Sequence, residues 1–252
     1  MPDILHFVSS STERFRAPFP RIDRLELMDE KIEDMDELAE NFRDIQRVNG
    51  LLGGTAIVLR HLPSLMAGIP AGRPVTILDL ATGSADIPVA VVRWASRRKR
   101  DISIIASDYS PPILELARAQ SAAYPEISLE RFDARSVPLP DNYVDIVLCS
   151  LSLHHFDPDQ AVRVLSEMHR LGRHGFILND LRRGRLGFVG AWLASRVTTR
   201  NRLTRNDAPL SVRRAYTPPE LTVLLDRAGI EDATISTHPW FRMAAVAAKE
   251  RA

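Results

Sequence analysis

A chain of 252 residues with 45% hydrophobic and 26% charged residues can bury the core of one globular domain with additions, and it lacks the run of ~18 apolar residues that a membrane-spanning helix needs. Its 33 basic and 32 acidic side chains leave a formal charge of +1, so the overall balance gives no pull toward nucleic acid or a membrane surface. The lone Cys149 excludes an intramolecular disulfide framework, and no Cys/His spacing marks a closed zinc site, so no metal is expected.

Residues 1 to 22 show no periodicity and read as a loosely ordered arm, without the basic and apolar regions of a secretory signal. A cytoplasmic location is therefore expected. From about Asp29 to Arg47, Ile32, Met35, Leu38, Phe42 and Ile45 recur at helical spacing; Asn49-Gly50 is expected to end that helix. A second helix is predicted from Leu51 to Leu62, stopped by Pro63. Residues 1–73 thus read as an arm and helical extension ahead of a main domain at 74–252.

From Val75 onward four short apolar runs, at 75–78, 102–106, 144–148 and 175–178, alternate with helical patterns. That alternation predicts an α/β fold, a doubly wound and mostly parallel sheet with helices on both faces. Residues 182–216 interrupt it as an insertion, with nine arginines against the single carboxylate Asp207 between Arg182 and Arg214, whereas residues 23 to 44 are acidic. Phe188, Trp192 and Leu193 lie at helical spacing there, so the insertion is expected to form an amphipathic lid, its arginines mostly a solvated face. A last helix after Pro218-Pro219 ends at Gly229, and 233–237 with 244–248 are expected to close the sheet as an antiparallel pair.

In open α/β sheets the ligand sits beyond the carboxyl ends of the strands. The first strand ends at Asp79, followed by Leu80-Ala81-Thr82-Gly83-Ser84-Ala85-Asp86, a loop of small residues in which Gly83 can adopt positive φ. The second ends in Ser107-Asp108-Tyr109-Ser110, where Asp108 can accept both hydroxyls of a ribose. A nicotinamide dinucleotide fits this plan less well, because Asp86 at the helix start repels a phosphate. S-adenosylmethionine carries a sulfonium and an ammonium, which suit Asp79 and Asp86.

These segments, with Asp133-Ala134, Val137-Pro138-Leu139-Pro140-Asp141, and Tyr143 to Val147 leading to Leu153-His154-His155-Phe156, resemble the class I S-adenosylmethionine-dependent methyltransferases, particularly the branch related to ubiquinone and menaquinone C-methyltransferases. The resemblance implies that Asp108 binds the ribose, that Asp133 and Ala134 meet the adenine, and that Ala81, Thr82 and Gly83 lie along the amino-acid end of the cofactor. Tyr109 and Ser150 are counted with these contacts. Ala81 and Ala85 stand where the family pattern has glycine.

His154 or His155 is the candidate base for an acceptor hydroxyl, set against a purely structural helix-capping role. Asn179, Asp180, Arg182 and Trp192 are the candidate substrate contacts, and His238, Trp240 and Phe241 are expected in core. The expected reaction is methylation of a small aromatic or quinone-like metabolite, oxygen ranked ahead of carbon, by a protein that needs no nucleic acid and can pair as a homodimer. The competing readings are a non-catalytic S-adenosylmethionine-binding regulator and an RNA methyltransferase using Arg200, Arg202 and Arg205.

Overall fold

The computed structural model describes residues 19–30 and 34–249, so the arm's first 18 residues lie outside the described residues. Seven strands form one sheet: β1 (Val75–Leu80), β2 (Ile102–Ser107), β3 (Ile127–Glu130), β4 (Val144–Ser150), β5 (Gly172–Leu181), β6 (Thr234–His238) and β7 (Arg242–Ala248), in the order β3-β2-β1-β4-β5-β7-β6. The first five pair in parallel, and β7 runs antiparallel to both neighbours. The order reverses between β1 and β4, which opens a crevice at their carboxyl ends.

Alternation along the strands sends side chains to two cores. Leu78, Val147, Phe176 and Ala245 face α5 (Pro158–Leu171) and α8 (Pro218–Arg227), whereas Ile77, Ile104, Ile146 and Ile177 face α2 (Gly54–Met66) and α3 (Asp86–Arg97). The expected α/β architecture with helices on both faces is present. β3 escaped the sequence reading because it is a short edge strand whose burial alternates, with no continuous apolar run.

Helix α1 spans Met35–Leu51, starting later than expected because Asp34 caps it by accepting from the Asp36 and Glu37 amides. It also runs through Asn49-Gly50. Buried Asn49 donates to Asp86 and accepts from Arg242, and these tertiary bonds override the local stop signal. Helix α2 likewise begins at Gly54 and passes Pro63, because Leu65 and Met66 bury against the sheet beyond it.

The insertion folds as α6 (Arg185–Thr198) and α7 (Arg202–Arg214); Leu203 of α7 packs with Phe42 of α1 and with Ile113 and Leu116 of α4 (Pro111–Ser121). Its arginines are not simply a solvated face. Arg202 pairs with Glu37 at 2.9 Å, Arg214 with Asp29 at 2.9 Å, Arg183 with Glu220, and Arg196 and Arg205 donate to backbone carbonyls of each other's helix end. Two of these pairs, Arg202–Glu37 and Arg214–Asp29, join the basic insertion to the acidic segment noted in the sequence. No helix among the described residues is long and apolar enough to cross a membrane.

The loop after β1 is built from left-handed residues: Ala81 at φ 52°, Gly83 at φ 57° and Ala85 at φ 63°. Gly83 also lies against Phe42, whose ring would be 2.9 Å from an added Cβ. The cost of the two alanines is therefore conformational and not a matter of one extra methyl. Left-handed backbone costs an alanine about 1–2 kcal/mol, partly offset by the ~0.4–1 kcal/mol of chain entropy that a glycine adds to the unfolded state. Ala81→Gly, where the methyl is only partly buried, is accordingly expected to raise stability by up to about 1 kcal/mol in urea denaturation with unchanged m-value, whereas at fully buried Ala85 the lost methyl, worth ~0.8 kcal/mol, cancels the gain.

Candidate active site

A cavity of about 1070 Å³ opens at the carboxyl ends of β1, β2 and β4 and is walled by α1, α6 and α7. The twelve cofactor and catalytic candidates, Asp79, Ala81, Thr82, Gly83, Asp86, Asp108, Tyr109, Asp133, Ala134, Ser150, His154 and His155, all line it. They arrive there from four separate connections, which is the geometric content of the sequence motifs.

At the inner end, buried Asp79 accepts from the Thr82 hydroxyl at 2.6 Å through Oδ2, while its Oδ1 is buried without a partner among the described residues. Burial, reinforced by the nearby Asp86 and Asp108 charges against the Thr82 bond, pushes its carboxyl up to about 7. The buried Ser150 hydroxyl is also unpartnered. Asp86 accepts from Asn49 at 3.0 Å, with burial raising its pKa. Asp108 accepts from the Gly83 amide at 3.1 Å and the Ser110 amide at 3.0 Å, which orients its carboxylate toward the cavity rim; burial raises it as well. Asp133 is clasped by Arg135, at 2.7 Å from Nη2, and that guanidinium holds its carboxyl below the usual range. Tyr109 is exposed, with Arg131 over its ring.

The histidines stand on a 3-10 turn, Leu153–His155, and Ser152 ahead of it donates to the Ala81 carbonyl at 3.3 Å, which ties the turn to the loop after β1. His154 Nδ1 lies 2.7 Å from Asp180 Oδ1, and its backbone amide donates to Asp180 Oδ2 at 3.0 Å. Burial opposes the charge of Asp180, but the His154 contacts outweigh it and lower its pKa, so Asp180 stays an acceptor and Nδ1 carries the hydrogen. Nε2 then points at Glu26, 3.6 Å away. His155 repeats the pattern: Nδ1 to Asp29 at 2.9 Å, Nε2 3.8 Å from Glu26. Burial disfavours its imidazolium, yet the Glu26 and Asp29 carboxylates prevail and raise His155 to about 9. Asp29 is driven the other way, to about 2, as His155 and Arg214 overcome its burial.

The four expected substrate contacts do not line the cavity. Asn179 and Asp180 are fully buried in β5 beneath it, Asp180 reaching the cavity only through His154. The amide of Arg182 is bound to the Phe241 carbonyl, and Trp192 stacks on Arg196 on the outer side of α6. Helix α6 turns its small residues Gly187, Gly190, Ala191, Ala194, Ser195 and Thr198 inward, leaving Leu186, Val189, Leu193 and Val197 exposed. The lid is therefore amphipathic in the opposite sense to the expected one. Trp240 and Phe241 line the cavity instead of filling core, while His238 packs on His61. Glu26, Asp29, Phe42 and Arg214 had no local signature, since each gains its meaning from a contact over a hundred residues away or from the packing of α1 onto the loop after β1.

Residues 77–175 match a family model described as a methyltransferase domain. Over 103 residues the chain is 34% identical to a demethylmenaquinone methyltransferase of Deinococcus radiodurans, covering 40% of each chain. Over 108 residues it is 30% identical to a ubiquinone/menaquinone biosynthesis C-methyltransferase of Geobacter sp. strain M21, covering 42% of this chain and 43% of that one. The chain thus aligns with less than half the length of these relatives. Among solved structures, human N-acetylserotonin methyltransferase in complex with its cofactor superimposes with a TM-score of 0.62 at 18% identity, over 86% of this chain and 57% of that one. An S-adenosylmethionine-dependent methyltransferase from Aquifex aeolicus does so with a TM-score of 0.57 at 16% identity, over 86% and 99%. At these identities the solved structures establish the fold.

Proposed function

We propose that this chain, whose residues 77–175 form a class I S-adenosylmethionine-dependent methyltransferase domain related to the ubiquinone and menaquinone branch, methylates a small hydroxylated aromatic or quinol-like acceptor. The observation that carries this reading is the single cavity joining the loop after β1 to the His154–Asp180 pair.

The residues present fit S-adenosylmethionine. Unpartnered Asp79 Oδ1 and Ser150 Oγ suit its ammonium, the Asp108 carboxylate suits a ribose diol, and buried Ala134 offers an apolar edge to an adenine. When bound, the cofactor supplies an electrophilic methyl on a sulfonium. The protein's part is alignment and proton removal. Asp180 fixes the His154 ring with Nε2 toward the cavity, where it takes the proton of an acceptor hydroxyl. The resulting negative charge is shared between that oxygen and the neighbouring ring carbon. The relatives named as C-methyltransferases support the ring carbon, over the oxygen that the sequence reading ranked first.

Incubation with S-adenosylmethionine and a panel of phenols and quinols, followed by NMR of the product, tests this. An aryl C-methyl signal is expected; a methoxy signal moves the reading to oxygen, and tight cofactor binding without turnover on any acceptor favours the regulator. The inner face of α6 supplies a second measurement. Ala194→Trp, on the cavity-facing side of α6, is expected to raise KM for the acceptor about 5–150-fold, since one bulky clash costs ~1–3 kcal/mol, while cofactor affinity is retained. An RNA acceptor finds less support, because Arg202 and Arg205 are already engaged within the fold.

A further inference from the structure

We infer that Glu26, His154 and His155 form a mononuclear site for a first-row divalent cation of the zinc, iron or cobalt kind, opening onto the acceptor end of the cavity. One ligand atom from each of the three lies within 4.8 Å of the other two. The Nε2 atoms stand 3.6 and 3.8 Å from the Glu26 oxygens, too far for hydrogen bonds. Yet tetrahedral ligands about 2.0–2.1 Å from a zinc ion are themselves ~3.3 Å apart, so the two Glu26 contacts, each to its own carboxylate oxygen, are a few tenths of an ångström longer than a closed site requires, and the three ligand atoms must draw in from within 4.8 Å of one another.

The surroundings point the same way. Each ring has its Nδ1 committed to a carboxylate, Asp180 for His154 and Asp29 for His155, which aims Nε2 inward, and an entering cation takes the place of any proton on Nε2. That carboxylate–histidine arrangement is the usual support of a metal-bound imidazole. The supports are themselves held: Asp29 by Arg214 at 2.9 Å, and Glu26 by the Ser211 hydroxyl at 2.9 Å. Glu26 and His154 are almost wholly buried, so their relative placement is set by the fold. Two imidazoles and one carboxylate favour borderline first-row ions over magnesium or calcium, which seek all-oxygen sites.

Three protein ligands leave a coordination position facing the cavity, and its natural occupant is the acceptor's hydroxyl oxygen. A cation there lowers the pKa of that hydroxyl, whose proton passes to solvent, and so ionises the acceptor by charge in place of proton capture by His154. Only this last role rests on the proposed reaction.

The full-length chain, stripped with a chelator and titrated with Co²⁺, tests the site without any turnover. One equivalent is expected to produce the visible absorption of a low-coordinate cobalt site, and Zn²⁺ is expected to displace it. Glu26→Gln is expected to weaken Co²⁺ at least tenfold and Asp29→Asn about 10–100-fold, as for other supports of metal-bound histidine. S-adenosylhomocysteine binding by each variant checks its fold. In the unaltered chain, NMR of the cobalt form is expected to show two far-shifted exchangeable Nδ1–H protons, which needs no variant. Absence of a stoichiometric cobalt spectrum, absence of the two shifted protons, or a Co²⁺ affinity unchanged by Glu26→Gln overturns the site. A chain that binds S-adenosylhomocysteine but fails these tests loses the cation site and keeps the methyltransferase reading.

Discussion

In the cation-free chain, where the lone pair of His154 Nε2 is available to the acceptor proton, His154→Gln is expected to lower kcat by about 10²–10⁴-fold, the usual worth of a positioned proton-transferring side chain, while leaving the affinity for S-adenosylhomocysteine unchanged. The two effects separate because the His154 ring is bound to Asp180 and no hydrogen bond runs directly from His154 to Asp79, Thr82 or Gly83, although Ser152 ahead of the histidines does donate to the Ala81 carbonyl at 3.3 Å. Asp180→Asn is expected to follow His154→Gln most of the way. Asp180 makes no contact with the cavity, so its effect travels through the 2.7 Å bond to Nδ1 that sets the tautomer. An asparagine can present either an NH₂ or a carbonyl to that nitrogen, and the wrong choice leaves Nε2 protonated and unable to accept. The pair acting as a unit has a further signature: the double variant should be little slower than His154→Gln alone. Additive losses in kcat would show Asp180 to be a structural prop with no share in the proton step.

How much of this was legible in the sequence follows from where each residue finds its partners. The sheet was legible because Val75–Leu80, Val144–Ser150 and the centre of β5 are buried on both faces and are mostly apolar, broken only by Thr76, Asp79, Asp145 and Ser150 in the first two. The cofactor end was legible because its residues fall within a few positions of strand ends, where the fold must place a ligand. Helix boundaries failed where a remote partner intervened, as Asn49 did by bridging to Asp86 and Arg242 inside what looked like a stop. The lid failed for a related reason. Its periodicity revealed two faces on α6, but which of them meets the cavity depends on the clearance left by Phe241, whose side chain would lie 2.9 Å from a Cβ added at Gly187, and the small face was the one that fitted. Glu26 and Asp29 were beyond reach, because a carboxylate 126 residues from its histidine leaves no local pattern.

The affinity for S-adenosylmethionine is expected to fall as pH drops below 7, by up to about tenfold for each unit. Asp79, with a pKa of about 7 in the folded chain, keeps its proton below that pH, and burial is the principal cause. An ammonium at its unpartnered Oδ1 requires the carboxylate, so binding must expel that proton wherever it is still held. Above pH 7 the carboxylate is already ionised and the affinity levels off. The same shift has the opposite sense for the cofactor-free fold. In the unfolded chain Asp79 ionises near its ordinary value of 3.8, so the unfolded state holds fewer protons than the folded one between there and about 7. Stability from this group is full below pH 3.8 and declines as pH rises toward 7, the range over which cofactor binding gains. Calorimetry in two buffers of different ionisation enthalpy reads the coupling as close to one proton released per cofactor at pH 6. Asp79→Asn is expected to abolish that proton release and flatten the pH profile at a low affinity. A variant that still releases the proton would place the titrating group elsewhere, with Asp86 and Asp108, both also raised by burial, the next to be replaced.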